Sequence, residues 1–516
     1  MDEFKSLKIG IIASGNANWM GGITYTISLI KSISLIPENN RPQVNLIFLG
    51  NQHETFSFYT SILNIVDSIV FWREKVSHGL QGNNVYVIDS LDELGRFFDF
   101  ILPWQSQPVD KTPLGYWIPD FQHHYLPELF SQEELNARSQ LFSLYAQKAA
   151  VLILSSHNAC NDWNKFYPGS NALVRVVNFH SYIPVEFYQG NIKKVLKKYN
   201  LPKRYLICCN QFWSHKDHQT LFKAFAKLVE VVKNIQLVCT GSKDDYRDSG
   251  YFEGLVQLLK GLGIENKVSI LGLLPREDQI RLVRGALAMV QPSLFEGWST
   301  IVEDAKALGK TIFLSDLPVH KEQMPMYGIY FQKQNSEDLA EKMIKSLPSL
   351  SVGPNIQREK KGRELTEIAL LRTGYNLCEI AFESLFAFDR EIPNVSEKLN
   401  FLLHNPFEPH CNEGADKYAS EGNQFDLEEI DLLCTSGQFY KAISKIDELI
   451  SEKGALVELV NLKAEIQFQM SQSLIENSIN IWTDLIDKGD VNDLFLNNLA
   501  VSMWSSNKRK EAVELL

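Results

Sequence analysis

The chain has 516 residues, 45% hydrophobic and 22% charged, the composition of an ordinary globular protein with room for three domains. No run of eighteen apolar residues occurs, which argues against a transmembrane segment, and Met1-Asp-Glu-Phe-Lys5 lacks the basic start and long apolar core of a secretory signal. Of the net charge of −11, the part after residue 390 carries the whole excess, with 22 acids against 10 bases, which argues against nucleic acid or an anionic membrane as its partner.

Residues 1–188 alternate apolar strands with helical stretches. Ile9-Gly-Ile-Ile-Ala13, Val44 to Leu49, Asn84 to Ile88 and Ala150 to Ser155 read as strands of a doubly wound parallel sheet. Ser14 to Thr24 leads into a helix through Leu29, with Gly21 and Gly22 at its entrance. Glycine there lets the backbone approach a phosphate, whose charge the helix N-terminus favours; a tight turn alone also explains the pair. Gly115 to Phe130 is dense in aromatic and polar groups and holds Pro119 and Pro127. It reads as a loop, where functional residues concentrate. Its neighbours His123 and His124 point apart and have no further ligand set, so no metal site is expected. Ser155 to Trp163 reads as a capped helix start.

Near Tyr188-Gln-Gly190 the character changes, and a second domain is expected over residues 189–390. It opens with a basic helix, Asn191 to Tyr199, and a strand, Tyr205 to Cys209. The seven cysteines form no C-x-x-C pair, a reduced, cytoplasmic pattern. His215 and Lys216 precede an amphipathic helix, Leu221 to Val232; a cation there suits a diphosphate, and a solvated lysine is the plainer alternative. The strands Gln236 to Thr240 and Val268 to Leu271 each run into a glycine, Gly241 and Gly272, which suggests close backbone approach to a ligand. A helix over 276–284 leads to the apolar run Ala286 to Val290, read as a strand, and a turn marked by Pro292, Ser293 and Gly297. Ile301, Val302, Ala305 and Leu308 then recur at helical spacing, Gly309 ends the helix, and Lys310 to Ser315 is the next strand. This βαβ unit sets acids at the carboxyl end of a strand, where α/β folds bind ligands. Glu296 lies in the turn and Asp304 about two turns into the helix. Between them the N–H groups of Trp298, Ser299 and Thr300 offer donors to a diphosphate. A loop acid and a solvated helix face would also account for these carboxylates. Asn355 to Phe388 reads as one long helix.

In order, these motifs resemble the GT-B glycosyltransferases of family 4, over roughly residues 8–390 and most strongly over 205–323. Glu296 and Asp304 resemble its acidic motif of two glutamates separated by seven residues, with aspartate at the second place and Gly297-Trp298-Ser299 where Gly-Phe-Gly is usual. Asp120-Phe-Gln-His123 resembles its Asp-x-Gln-His element. The resemblance implies two Rossmann-like lobes facing a cleft, the first holding the acceptor and the second a nucleotide-sugar donor, with the last helix crossing back onto the first lobe. It implies that Glu296 holds sugar hydroxyls, Asp304 the ribose, and His123 the sugar and diphosphate from the opposite wall. Gly21, Gly22, Lys216 and the helix start at 298–300 would take the departing diphosphate. Gln211 stands where the family often carries an arginine, and Leu273 and Leu274 would pack against the base. The expected reaction is transfer to an acceptor hydroxyl of a glycan, lipid or protein-linked group, with retention. No covalent nucleophile stands out and no Asp-x-Asp triplet occurs, so neither an obligatory metal nor a cofactor beyond the donor is expected. A phosphorylase, a sugar-nucleotide epimerase and a non-catalytic interaction protein are the alternatives; Gln211 and Asp304 keep the last one open.

Residues 391–423 read as a linker. Beyond it Ala442, Ile443, Ile446 and Leu449 recur as Ser478, Ile479, Trp482 and Leu485, and Ser478 and Ile479 recur as Ala512 and Val513. With Gly437 to Ala442 this resembles tetratricopeptide repeats, so residues 424–516 are expected to form an all-α repeat tail that takes a protein or peptide partner. The third repeat stops before its second helix is complete, and an array needs a cap, so further chain or another protein is expected to cover that face.

Overall fold

The computed structural model describes residues 7–16, 19–38, 41–72, 84–109, 113–387 and 445–446. The chain forms two compact units, residues 1–390 and 391–516. Of the second, Lys445 and Ile446 are described as helical; the expected linker and repeats otherwise lie outside the described residues.

The first unit contains two parallel sheets. Eight strands build the first: β1 (Lys8–Ile12), β2 (Gln43–Phe48), β3 (Ser68–Trp72), β4 (Asn84–Ile88), β5 (Phe100–Trp104), β6 (Leu114–Ile118), β7 (Val151–Leu154) and β8 (Leu173–Val176). Their order is β4-β3-β2-β1-β5-β6-β7-β8. Six build the second: β9 (Tyr205–Cys208), β10 (Gln236–Cys239), β11 (Val268–Ile270), β12 (Met289–Gln291), β13 (Ile312–Ser315) and β14 (Gly328–Phe331), in the order β11-β10-β9-β12-β13-β14. The inner strands are apolar on both faces because helices cover both faces, as parallel sheets require; β7 and β9 are buried throughout, and β1 from Ile9 on. In the first sheet the winding reverses between β1 and β5, and in the second between β9 and β12. Ligand sites of open α/β sheets lie beyond the carboxyl ends of strands at such reversals.

β3, β5, β6, β8 and β14 go beyond the strands legible in the sequence. The stretch from Gly115 is not loop throughout: it begins inside β6 and turns through a short helix, Gln122–Tyr125. β5 contains Pro103, which has no N–H for the ladder, and its pairing with β6 shifts register between Ile101 and Trp104.

The helices Val185–Gln189 and Ile192–Lys198 both pack on the helix Arg276–Gly285 of the second lobe. The Tyr188 hydroxyl donates to the Ala307 carbonyl at 3.3 Å, so the connection between lobes is moored to the second. The 32-residue helix Ile356–Ala387 serves both lobes. Its first half lies on the helix Thr300–Ala307, where a Cβ on Gly362 would stand 2.4 Å from the Lys306 carbonyl oxygen. Its second half lies on the helix Met20–Ser34, where a Cβ on Gly374 would stand 2.2 Å from the Ser32 carbonyl oxygen. Thr373 and Asn376 donate to the carbonyls of Asn178 and Val176 at 3.1 Å each.

These clearances give two glycines opposite mutational signs. Gly374→Ala must push apart two packed helices and is expected to lower stability by about 1–3 kcal/mol. Gly254→Ala, on the helix Tyr251–Gly261 with nothing within 4 Å of the new Cβ, is expected to raise it by about 0.5–1 kcal/mol. Thermal or urea unfolding of the two variants beside wild type checks the signs.

Candidate active site

The reversal between β9 and β12 decides which loops meet. The loop after β9 passes through Gln211 and a 3-10 turn, Ser214–Lys216, into the helix His218–Val231; Asp217 caps that helix, accepting from the Thr220 amide at 3.2 Å. The loop after β12 runs from Pro292 to Ser299 into the helix Thr300–Ala307. The two are stitched by the Leu294 amide, which donates to the His215 carbonyl at 2.8 Å. This brings Lys216 onto Glu296, with Nζ to Oε1 at 2.6 Å. Gln291 Nε2 and the Ser293 hydroxyl donate to the same oxygen at 2.8 and 2.6 Å. Three donors fix the orientation of Glu296, and one carries a full positive charge.

Asp304 is buried on the next helix. Arg276 reaches it with both terminal nitrogens, Nη1 to Oδ2 at 2.7 Å and Nη2 to Oδ1, and the Ser181 hydroxyl also donates to Oδ1. Burial works against the Arg276 charge, but Asp304 outweighs it and raises the guanidinium's pKa. Glu303 has a separate network: His180 Nδ1 at 2.9 Å, Lys306 Nζ at 3.1 Å and Gln323 Nε2 at 2.9 Å. Burial pushes its carboxyl up, and Lys306, His180 and Gln323 together bring it down to about 2. Neither acid is a solvated helix face.

The helix start at 298–300 is more occupied than the sequence suggests. Gln323 Oε1 accepts the Ser299 amide at 3.1 Å, so that N–H is committed within the protein, and Gln323 Nε2 returns a bond to the Ser299 carbonyl at 3.0 Å. Trp298 Nε1 donates to the Phe179 carbonyl at 2.8 Å, joining the second lobe to the segment after β8. Thr300 is the first residue of the helix. Gly297 is required by contact between lobes: a Cβ there would lie 2.1 Å from the Pro119 carbonyl oxygen and 2.8 Å from Asp120 Cβ. Gly241, at φ +131°, has a similar internal cause, since a Cβ would lie 2.2 Å from the Asn210 carbonyl oxygen and 2.8 Å from Gln211 Cα. Its close approach is thus to the loop after β9. Leu273 is exposed, and Leu274 packs partly against the core of the second lobe.

On the first lobe, Gly21 and Gly22 lie in the first turn of the helix Met20–Ser34, beyond the carboxyl end of β1, and that helix has no side-chain cap. Gly22 packs on Gly15, where a Cβ would meet Gly15 Cα at 2.8 Å. Trp19 stacks toward Trp117, and Trp117 on Tyr25, whose ring meets Phe179 edge-on. Through Phe179 this aromatic column reaches Trp298. His123 is buried against Phe142 and Phe130, and neither ring nitrogen has a hydrogen-bond partner. Burial pushes its pKa down to about 3, with His124 and Arg138 adding to the shift. Among the described residues no hydrogen bond joins it to Lys216 or Glu296; the residue before it makes the crossing, since Gln122 Oε1 accepts from Arg247 Nη1 at 3.2 Å. Tyr125 stacks on Phe295, the neighbour of Glu296, at 5.4 Å between centroids.

His123 gives the fold an acid-sensitive point. The unfolded ring takes a proton near its ordinary 6.5 and the folded ring only near 3, so stability present above pH 6.5 is lost as pH falls toward 3. Glu303 adds a loss in the same direction between about 4.5 and 2. His123→Phe, in a site already lined by phenylalanines, is expected to flatten the fall in urea midpoint between pH 7.5 and 5; an unchanged slope would refute the assignment.

No curated protein matches the chain. Among solved structures, the Anabaena protein Alr3699/HepE in complex with UDP and glucose is 16% identical, with a TM-score of 0.49 over 72% of this chain and 98% of that one. A glycosyltransferase from Rickettsia africae is 14% identical, with a TM-score of 0.47 over 74% and 99%. The sucrose-phosphate synthase of Thermosynechococcus elongatus is 13% identical, with a TM-score of 0.46 over 74% and 99%. Residues 191–350, which carry every strand of the second sheet and both Lys216 and Glu296, match the family described as Glycosyl transferases group 1.

Proposed function

We propose that the chain is a retaining glycosyltransferase of the family 4 kind, moving a hexose from a nucleotide-sugar to an acceptor hydroxyl. The observation that carries the reading is the Lys216–Glu296 pair at the β9/β12 reversal, inside the segment that matches the group 1 family. A lysine and an oriented carboxylate at one strand end suit a substrate that carries a diphosphate on one side and hydroxyls on the other.

In this reading the bond between the anomeric carbon and the diphosphate oxygen breaks as the acceptor oxygen bonds to that carbon on the same face. The acceptor proton passes to the departing diphosphate. Lys216 neutralises charge developing on that leaving group, and the start of the helix Met20–Ser34, with Gly21 and Gly22, faces it from the first lobe. The helix start at Trp298 and Thr300 adds dipole, with the Ser299 amide excluded because Gln323 holds it. Glu296 exchanges donors, giving up Lys216 to the phosphate and accepting sugar hydroxyls. Asp304 accepts a ribose hydroxyl on Oδ2, which takes only one bond from Arg276. Leu273 and Leu274 pack on the base, and Gly241 and Gln211 shape the floor beneath the phosphates. His123, neutral at physiological pH, forms the opposite wall. No metal is required by this scheme. The first lobe supplies the acceptor surface, residues 424–516 take a protein or peptide partner, and the chain works in the cytoplasm.

Glu296→Gln and Lys216→Ala are each expected to lower kcat by about 100-fold or more, while Glu303→Gln, outside the reacting centre, acts mainly on stability. A panel of nucleotide-sugars assayed for nucleoside diphosphate release, with product stereochemistry read by NMR, checks this. Silence of wild type toward every donor, or turnover untouched by Glu296→Gln, would overturn the reading. Release of sugar phosphate, or interconversion of donors, would favour a phosphorylase or an epimerase.

A further inference from the structure

Arg247, on the loop after β10, is a buried cation that this scheme leaves unused. Its Nε donates to Asp245 Oδ1 at 3.2 Å, and Asp245 Oδ2 accepts the Ser214 amide at 3.1 Å. One carboxylate thereby fastens the loop after β10 to the loop that carries Lys216. Arg247 Nη2 lies 3.1 Å from His215 Nδ1. Arginine only donates, so that nitrogen accepts. Burial, together with Lys216 and Arg247, drives His215 to its neutral form. Arg247 Nη1 donates to Gln122 Oε1 of the first lobe at 3.2 Å. The guanidinium lies 5.0 Å from the Trp213 ring centroid and 5.6 Å from that of Phe130, one ring from each lobe.

We propose that Arg247 is the second cation of the diphosphate site, supplying from the loop after β10 the charge that Gln211 does not supply from the loop after β9, with Gln122 positioning it. The proposal rests on the nucleotide-sugar reading above. The Nε bond to Asp245 fixes the plane of the guanidinium. Its two terminal nitrogens meet only neutral acceptors, the Gln122 amide and the His215 ring. A phosphate oxygen is a stronger acceptor than either, because both partners are then charged, and a fork of two N–H groups matches its geometry. Three of the five N–H donors are engaged, which leaves two for a ligand without breaking any bond now present. Because Gln122 belongs to the first lobe, the third of these bonds forms only when the lobes are together.

The test is calorimetry on the full chain with ADP, GDP and UDP, and with the matching monophosphates. Arg247→Ala is expected to weaken the best diphosphate roughly 10- to 100-fold and the monophosphate far less. Gln211→Arg in the Arg247→Ala background is expected to recover most of the loss, which restoring a contact between lobes would not do. Gln122→Ala is expected to cost less than Arg247→Ala, because it removes an orienting group and leaves the charge. Diphosphate binding by Arg247→Ala equal to wild type, or an equal loss for both phosphate lengths with no rescue by Gln211→Arg, would overturn the proposal alone and mark Arg247 as a strut between lobes. Failure of wild type to bind any of the three diphosphates would overturn the nucleotide-sugar reading with it.

Discussion

Parallel pairing of β9 with β12, in contact where Met289 meets Ile207, is the constraint from which the candidate site follows. Both strands end at the same edge of the sheet, so the loops after them must share one space although some 80 residues separate them in sequence. A lysine on one loop and a glutamate on the other then meet without either loop having to be long. The glutamate is further restricted by Gln291, the last residue of β12, and by Ser293. Its donors come from the strand end and the turn, so its direction is set by rigid parts of the fold. Such a group needs little rearrangement when charge or hydroxyls arrive, which is the physical content of preorganisation.

The two acids on the following helix have different work. Glu303 ties that helix to His180 and Gln323, and its low pKa is the mark of a carboxylate whose partners outweigh its burial. Asp304 is tied to Arg276 and to Ser181. His180 and Ser181 both belong to the segment after β8, so adjacent acids hold the connection between the lobes. A charge change at Glu303 therefore acts on how the connection is held, and one at Asp304 acts on the Arg276 contact as well.

Much of this was legible as pattern. Long apolar runs such as β1, β9 and β10, and the helical spacing of Ile301, Val302, Ala305 and Leu308, follow from burial on both faces or on one. Ser156 caps the helix His157–Phe166 by accepting the Ala159 amide, which a serine before an apolar turn already suggests. β5 was hidden because a proline in a central strand argues against a strand, and the register shift beside Pro103 is how the sheet accommodates it. β6 was hidden because Gly115, Tyr116 and Trp117 resemble a polar-aromatic loop until β5 and β7 supply ladder partners. Arg247, Arg276, Gln323 and Ser181 carry no local signal at all. Each matters through a residue at least 24 positions away, and only the strand order brings those residues together. The glycines had a cause the sequence does not carry: Gly241 permits close approach of the loop after β9, and Gly297, a turn glycine, permits close approach of Pro119 and Asp120 of the first lobe.

Several contacts between the lobes are hydrogen bonds. Glu322 of the second lobe accepts the amides of His157 and Asn158 at the start of a first-lobe helix, at 2.7 and 3.0 Å. Gln122 meets Arg247, and Trp298 meets the Phe179 carbonyl. Each of these groups can bond to water instead, so the net worth of each such bond is modest. The second lobe keeps its own apolar clusters, to which Ile183 and Val195 of the connection also belong. The long helix Ile356–Ala387 is the opposite kind of tie, packed through glycines onto both lobes at once. Two kinds of tie therefore join the lobes: hydrogen bonds along the seam, and a helix whose glycines let it pack closely on both.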